Sequence, residues 1–222
     1  MSLAQLSKRI LPDPQEFTRR IIEQDGCKTG LDIGCGKSSY LSRFRPKMRT
    51  VGLDAFDRSL AISREANVHD RYILANIITT PAEEILKSND GEKFDVVTLF
   101  DVIEHLPKNL GWELLAKCEA LSSRFVFLQT PYGFLEQGPE EGNPFQVHLS
   151  GWFPHDFEGL GYKVAGAAGT RFFHGYAGRF KYNFPGVKIA DGLLGVLLRL
   201  EKNPHHALNM VAWKDLRAFS TA

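Results

Sequence analysis

Residues 31–36 read Leu-Asp-Ile-Gly-Cys-Gly, and Asp54 stands twenty positions beyond Gly34 at the close of a second apolar run, Val51-Gly52-Leu53. A third run, Phe94 to Phe100, ends in Asp101. Nothing else in the chain constrains the fold as much. An apolar strand, a glycine turn and a second strand closing on an acid form the layout of a nucleoside-binding α/β sheet. The glycines let the backbone approach a ligand closely, and the acid can accept hydrogen bonds from both hydroxyls of a ribose.

The alternation extends along the chain. Residues 1–12 read as a loose arm, and Asp13-Pro14-Gln15-Glu16 opens a helix carrying Phe17, Ile21 and Ile22 on its apolar face and ending at Gly26. Strand one spans about 29–33, with a helix near 38–44. Strand two spans about 49–54, with a helix near 58–67. Strand three spans about 71–75. Thr80-Pro81-Ala82-Glu83 reads as a capping box, and Asn89-Asp90-Gly91 as a turn. Strand four, 94–100, is almost continuously apolar, as expected when helices cover both faces. Leu110, Leu114, Leu115, Cys118 and Leu121 carry helical spacing, and strand five spans 125–128. Such alternation predicts a mostly parallel sheet with right-handed crossovers. The rhythm then breaks at an insertion rich in proline and glycine, 131–150. A helix at 154–160, a strand at 163–168, a second insertion at 169–205 and a last strand near 208–213 follow.

The bulk properties fit one domain over 1–222, with an N-terminal arm and helix at 1–26. A chain of 222 residues can bury roughly 70–75% of its unfolded surface without a metal or disulfide staple. A formal charge of +1 gives no reason to expect a nucleic-acid partner. Cys27, Cys35 and Cys118 are scattered, which points to reduced thiols and a cytoplasmic setting. No apolar stretch is long enough for a transmembrane segment, and the N-terminus has no secretory pattern.

In these blocks the chain resembles the Rossmann-like (class I) S-adenosylmethionine-dependent methyltransferases of the broad small-molecule type. The blocks are LDIGCG at 31–36, VGLD at 51–54, ILANI at 73–77, FDVVTLFDVIEHL at 94–106 and the segment ending QTPYG at 129–133. NPFQVHLSGW at 143–152 is similar to a segment that follows strand five in some bacterial members. The resemblance implies a three-layer α/β sandwich whose seven-stranded, mostly parallel sheet has its last strand antiparallel. It implies adenosylmethionine across the carboxyl ends of strands one, two and four, released as S-adenosylhomocysteine. Carried over by motif, Asp32, Gly34, Cys35 and Gly36 surround the methionine end, and Asp54 with Ala55 meets the ribose. Asn76 and Ile77 stand at the adenine, where Asn76 replaces a common acidic residue, and Asp101 and Val102 line the methionine side.

Several residues carry a plainer reading beside the functional one. Asp54 could be a helix cap, although Asp57 or Ser59 could cap equally well. Asp32 lies in an apolar strand where an unpaired carboxylate is costly, so it is expected to accept backbone N–H bonds from the glycine loop or to meet the cofactor's ammonium. Phe56 packs on adenine or belongs to the core. Cys35 lacks an adjacent base and reads as a small buried thiol rather than a nucleophile. Rival nucleotide motifs fail: a phosphate-binding loop needs glycine at 31, where Leu31 stands, and the dinucleotide fingerprint needs it at 39, where Ser39 stands.

Methyl transfer asks for an aligned acceptor, excluded water and, for a protonated acceptor, a base. His105, directly after strand four, and His148, in the first insertion, are the candidates, with Tyr132, Glu136 and Gln137 as weaker acceptor contacts. His205-His206 reads as a solvated turn, and no metal site is expected. The aromatics of the second insertion read as a local mini-core. Residues 187–200 are apolar around most of their circumference, with Lys188, Asp191, Gly192, Gly195 and Arg199 on one stripe, which favours burial or a homodimer contact over a membrane surface. The expectation is methyl transfer to a small-molecule acceptor, the methylated atom unassigned. The alternatives are an inactive adenosylmethionine-binding partner subunit and a nucleotide hydrolase.

Overall fold

A computed structural model describes residues 14–140 and 142–219. Its single sheet has the order β3-β2-β1-β4-β5-β7-β6. The strands are β1 Thr29–Ile33, β2 Arg49–Asp54, β3 Arg71–Leu74, β4 Phe94–Phe100, β5 Ser122–Pro131, β6 Lys163–Thr170 and β7 Ala207–Asp215. The first five pair in parallel, and β7 runs antiparallel to both β5 and β6. The seven-stranded sheet with β7 reversed is thus the expected one.

Six α-helices accompany the sheet among the described residues: α1 Pro14–Gln24, α2 Asp57–Glu65, α3 Ala82–Leu86, α4 Lys108–Leu121, α5 Pro154–Glu158 and α6 Val187–Leu197. Strand alternation divides the core between two faces. Val97, Leu99, Val126 and Leu128 pack with Ile85, Leu114, Leu115, Cys118 and Phe157 from α3, α4 and α5. Val96, Phe125 and Phe127 face the other way, onto Ile22 of α1 and Tyr40, Leu41 and Phe44. The 1–12 arm and the Asp13 cap lie outside the described residues, as does the side chain of Phe17.

The chain departs from the predicted elements in three places. The helix expected near 38–44 is a short 3₁₀ turn, Tyr40–Phe44, whose cap Ser39 accepts a bond from the Leu41 N–H. Pro46 forces the residue before it to be extended, and Arg45 is so (φ −68°, ψ 142°), which ends the turn. The Thr80 capping box does not form: Pro81 is the extended residue before α3, so the helix starts one position too late for Thr80 to cap it. Of the two outcomes expected for α6, burial and a homodimer contact, burial of its apolar side does not occur. Asp191, Gly192 and Gly195 face inward, while Ile189, Leu193, Val196 and Leu197 face solvent, Leu197 being 78% exposed. The cause is a buried bond pair, since Asp191 Oδ1 accepts from both the N–H (2.8 Å) and the hydroxyl (2.6 Å) of Thr170.

The carboxyl ends of β1, β2 and β4 form one edge. Because β6 runs the same way as β5, the segment 171–206 between β6 and β7 rises from this edge too. There it meets the first insertion: the Tyr176 hydroxyl accepts from the Gly138 N–H (2.9 Å), and the Ala177 N–H donates to the Glu136 carbonyl (3.1 Å).

Candidate active site

At the tip of β1 the chain turns through Gly34 (φ +66°) and Gly36 (φ +57°), a region that side chains other than glycine seldom occupy. A side chain on Gly34 would also collide with Val102, which fills that space from the tip of β4. The Gly34 and Cys35 N–H groups donate to the Leu53 carbonyl (2.7 and 3.1 Å), tying the turn to β2. Asp54 completes the tie, with Oδ2 accepting from the Gly36 N–H and Oδ1 from the Phe56 N–H, both at 2.8 Å. A carboxylate has about four acceptor positions, so two remain for a ligand's hydroxyls.

Beside this turn lies a crevice of about 410 Å³ lined by Asp32, Gly34, Cys35, Ser38, Ser39, Tyr40, Ser42, Arg43, Phe100 and Asp101. Two carboxyls give it its electrostatics. Asp32 is buried, accepts from the Thr98 hydroxyl at 2.7 Å, and has its pKa pushed up to about 6, chiefly by desolvation. It therefore takes side-chain rather than backbone donors, correcting the expectation of glycine-loop N–H bonds. Thr98 sits beside Asp32 in the β1–β4 register, so the hydroxyl is the nearer donor. Asp101, in the left-handed region (φ +56°), accepts from Gln129 Nε2 through both of its carboxylate oxygens, each at 3.1 Å. It opens to solvent, yet the walls of the crevice also raise its pKa. A cation bound here would relieve the buried Asp32 and pair with Asp101, so the lining fits a sulfonium or ammonium group. Behind Asp32, His69 is buried with neither ring nitrogen hydrogen-bonded, and burial lowers its pKa to about 4. A second concavity, of about 450 Å³, lies at the opposite edge among Arg45, Pro46, Met48, Arg49 and Asp70, where Arg45 and Asp70 already pair at 2.8 Å.

Three residues beyond Asp101 the chain begins a second group. Glu104 is 2% exposed, and its Oε2 accepts from the Thr130 hydroxyl (3.0 Å) while Oε1 has no partner. His105 and His148 lie with ring centroids 4.8 Å apart. Their Nδ1 atoms face the carbonyls of Val147 (3.2 Å) and Leu135 (2.6 Å). A carbonyl only accepts, so each Nδ1 carries the proton, and in the neutral ring Nε2 keeps a lone pair. Burial favours that neutral form, lowering the His105 pKa to about 4 and the His148 pKa in the same direction. Backbone bonding and packing explain how residues 43 positions apart meet. The Leu149 and Ser150 N–H groups both donate to the Glu104 carbonyl (2.8 and 3.1 Å). Trp152 is wholly buried against Gly111 and donates to Ser150 Oγ (2.8 Å).

Residues 31–123 match the family described as a methyltransferase domain. The matched stretch, from β1 to the first residues of β5, is similar to that family. Over 133 residues (58% of the chain, 40% of the relative) it is 30% identical to the mitochondrial ubiquinone biosynthesis O-methyltransferase of Candida albicans. Over 108 residues (46% and 44%) it is 32% identical to the ubiquinone biosynthesis O-methyltransferase of Paraburkholderia phytofirmans (strain DSM 17436 / LMG 22146 / PsJN). The chain thus spans less than half the length of these curated relatives. It shares its fold with a SAM-dependent methyltransferase from Archaeoglobus fulgidus, with a TM-score of 0.56, 16% identity, and coverage of 96% of this chain and 100% of that one.

Within the matched stretch, Asp32, Gly34, Cys35 and Asp101 share the crevice, and Gly36, Asp54 and Val102 frame its turn. The Cys35 thiol is buried, and burial raises its pKa far above the usual thiol range, so only the backbone there is available to a ligand. Ala55, Asn76 and Ile77 follow on the neighbouring tips of β2 and β3. Asn76 Oδ1 already accepts from the Ile78 N–H (2.9 Å), leaving one acceptor position. His205 is less free than a solvated turn would be: its Nδ1 lies 2.9 Å from the Tyr132 hydroxyl, which draws Tyr132 toward the second insertion. The expected aromatic mini-core there forms only in part, for Phe173 touches Phe172 and Tyr182 but Phe172 is 62% exposed. Ser39, Tyr40, Arg43 and Phe100 in the crevice, Thr98 behind Asp32, and Glu104 beside the histidines were not anticipated. Only Glu104 left a signal, as an acid in the otherwise apolar run Val102-Ile103-Glu104.

Proposed function

We propose that this chain moves a methyl group from adenosylmethionine to a hydroxyl oxygen of a small or medium-sized acceptor. The observation that carries this reading is the crevice at the strand tips where the glycine turn meets the carboxyls of Asp32 and Asp101, with Asp54 bonded to that turn beside it. In this reading Asp32 and Asp101 face the cationic methionine end. Gly34 and Gly36 give it room, with Cys35 contributing backbone and Val102 closing the floor. Asp54 takes the ribose hydroxyls beside Ala55, and Asn76 and Ile77 border the adenine. When bound, adenosylmethionine supplies an activated methyl. The protein's own task is to align the acceptor and exclude water.

His105 and His148 are the groups suited to an acceptor's proton, since both are held neutral with Nε2 unprotonated. The names of the two curated relatives support oxygen as the methylated atom. The solvent-facing apolar side of α6 supports contact with a second copy, which sedimentation velocity checks directly. Three free, buried cysteines are in keeping with a reducing, cytoplasmic setting. Among the described residues, no helix is long and apolar enough to cross a membrane.

Calorimetric titration with adenosylmethionine and S-adenosylhomocysteine, followed by labelled-methyl transfer to hydroxylated aromatic acceptors, tests the reading. Binding of both ligands with label in the acceptor supports it. Binding of ATP with magnesium in their place overturns it in favour of a nucleotide hydrolase. Ligand binding without turnover on any acceptor favours the partner-subunit alternative.

A further inference from the structure

Glu104, His105 and His148 each offer one ligand atom, and these atoms all lie within 4.8 Å of one another. Two imidazoles and one carboxylate are a familiar donor set for a borderline divalent cation such as Zn²⁺, Mn²⁺ or Fe²⁺. Three features separate this group from a chance cluster. Glu104 Oε1 is buried without any hydrogen-bond partner, a state that costs stability unless something charged or protic meets it. Both imidazoles are oriented through Nδ1 by backbone carbonyls, the usual arrangement behind a metal-bound histidine, and each keeps its Nε2 lone pair. Lastly, the backbone of 147–150 is bonded to the Glu104 turn, so the third donor is held in place by structure rather than by a loose loop.

We propose that Glu104, His105 and His148 bind one divalent transition-type cation, and that this cation receives the acceptor's hydroxyl oxygen beside the methyl donor. The second half of this statement rests on the methyl-transfer reading; the first does not. Ligand bonds of roughly 2.0–2.2 Å require the three donors to close in on the ion, a side-chain contraction that the open set allows. Three protein ligands leave coordination positions for an exchangeable oxygen. Bound there, an acceptor hydroxyl loses its proton to solvent at a lower pH than it does free, and the two histidines, their Nε2 lone pairs given to the ion, exchange the role of proton acceptor for that of ligand. The oxygen's electron pair then forms the O–CH₃ bond, the S–CH₃ bond breaks with its pair returning to sulfur, and a neutral thioether leaves. No oxidant or reductant is needed.

The test begins with chelator-stripped protein titrated with Mn²⁺ alone, read by loss of the free-ion electron paramagnetic resonance signal, with Zn²⁺ as competitor. One ion per chain, displaced by Zn²⁺, is the expected result. Glu104→Gln keeps the shape and removes the charge, and His148→Ala removes one donor. Each is expected to weaken the cation by 100-fold or more while leaving S-adenosylhomocysteine affinity within threefold. That second titration also verifies folding. No cation bound below millimolar concentration, or binding unchanged in both variants, overturns the proposal. A wild-type chain that takes the cation but neither cofactor form refutes the methyl-transfer reading and leaves the metal site standing.

Discussion

At the scale of single residues, the cofactor side is governed by how few carboxylates do several tasks. Asp54 holds the Gly36 and Phe56 N–H groups while facing the place proposed for a ribose. Asp54→Ala is therefore expected to weaken S-adenosylhomocysteine by about 1.5–3 kcal/mol by calorimetry, the range of a charge-assisted hydrogen bond. Unchanged affinity would remove its ribose role. Asp32 gives a pH signature. Its folded pKa, near 6, lies above the value of 3.8 it has when unperturbed. The stability it contributes is thus fully present below pH 3.8 and is lost as pH rises through about 6, a loss on the order of 3 kcal/mol. Asp32→Asn lacks this loss, so its melting temperature relative to the parent chain should climb between pH 4 and pH 7.5. A flat difference across that range would show that Asp32 is not desolvated. Above pH 7 the same variant should bind adenosylmethionine more weakly, because the ionised carboxylate that meets the ammonium is gone.

At the scale of elements, legibility follows from where the determining forces lie. The bounds of β1, β2 and β4 agree with those read from the sequence because a buried parallel strand is a local apolar run, and its ends are marked by glycine or aspartate. The short turn at Tyr40–Phe44 was missed because Pro46, just past the expected helix, sets its end. The orientation of α6 is open in the sequence for a different reason. Periodicity shows that two faces differ but not which one turns inward. Here the Asp191 bonds to Thr170 decide it, and those depend on a residue 21 positions away. The donor set of Glu104, His105 and His148 was invisible for the same reason: proximity across 43 residues is a property of the fold. The α6 arrangement has a measurable consequence. Asp191→Ala should destabilise the chain by about 1.5–3 kcal/mol in urea unfolding, since it strands the Thr170 N–H and hydroxyl. Leu197→Ser should stay within about 0.5 kcal/mol, as for an exposed surface position. Equal effects would show that the Asp191 bonds to Thr170 do not set the orientation of α6.

At the scale of the whole molecule, the sheet order sends the glycine turn, both insertions and the histidine pair to one edge, and binding at that edge should be felt globally. S-adenosylhomocysteine at 100 times its Kd is expected to stabilise the native state by about 2.7 kcal/mol, which for a chain of this size raises Tm by roughly 5–11 °C in scanning calorimetry. Absence of any shift would mean the edge does not hold the cofactor. A last consequence comes from the five consecutive residues Asp101 to His105. Asp101 and Val102 belong to the nucleoside side, Glu104 and His105 to the donor cluster, and Ile103 between them is wholly buried. So short and so firmly rooted a link sets the two pockets side by side on one piece of backbone. By reciprocity, whatever factor occupancy of one pocket imposes on its neighbour's affinity, the neighbour must return in equal measure.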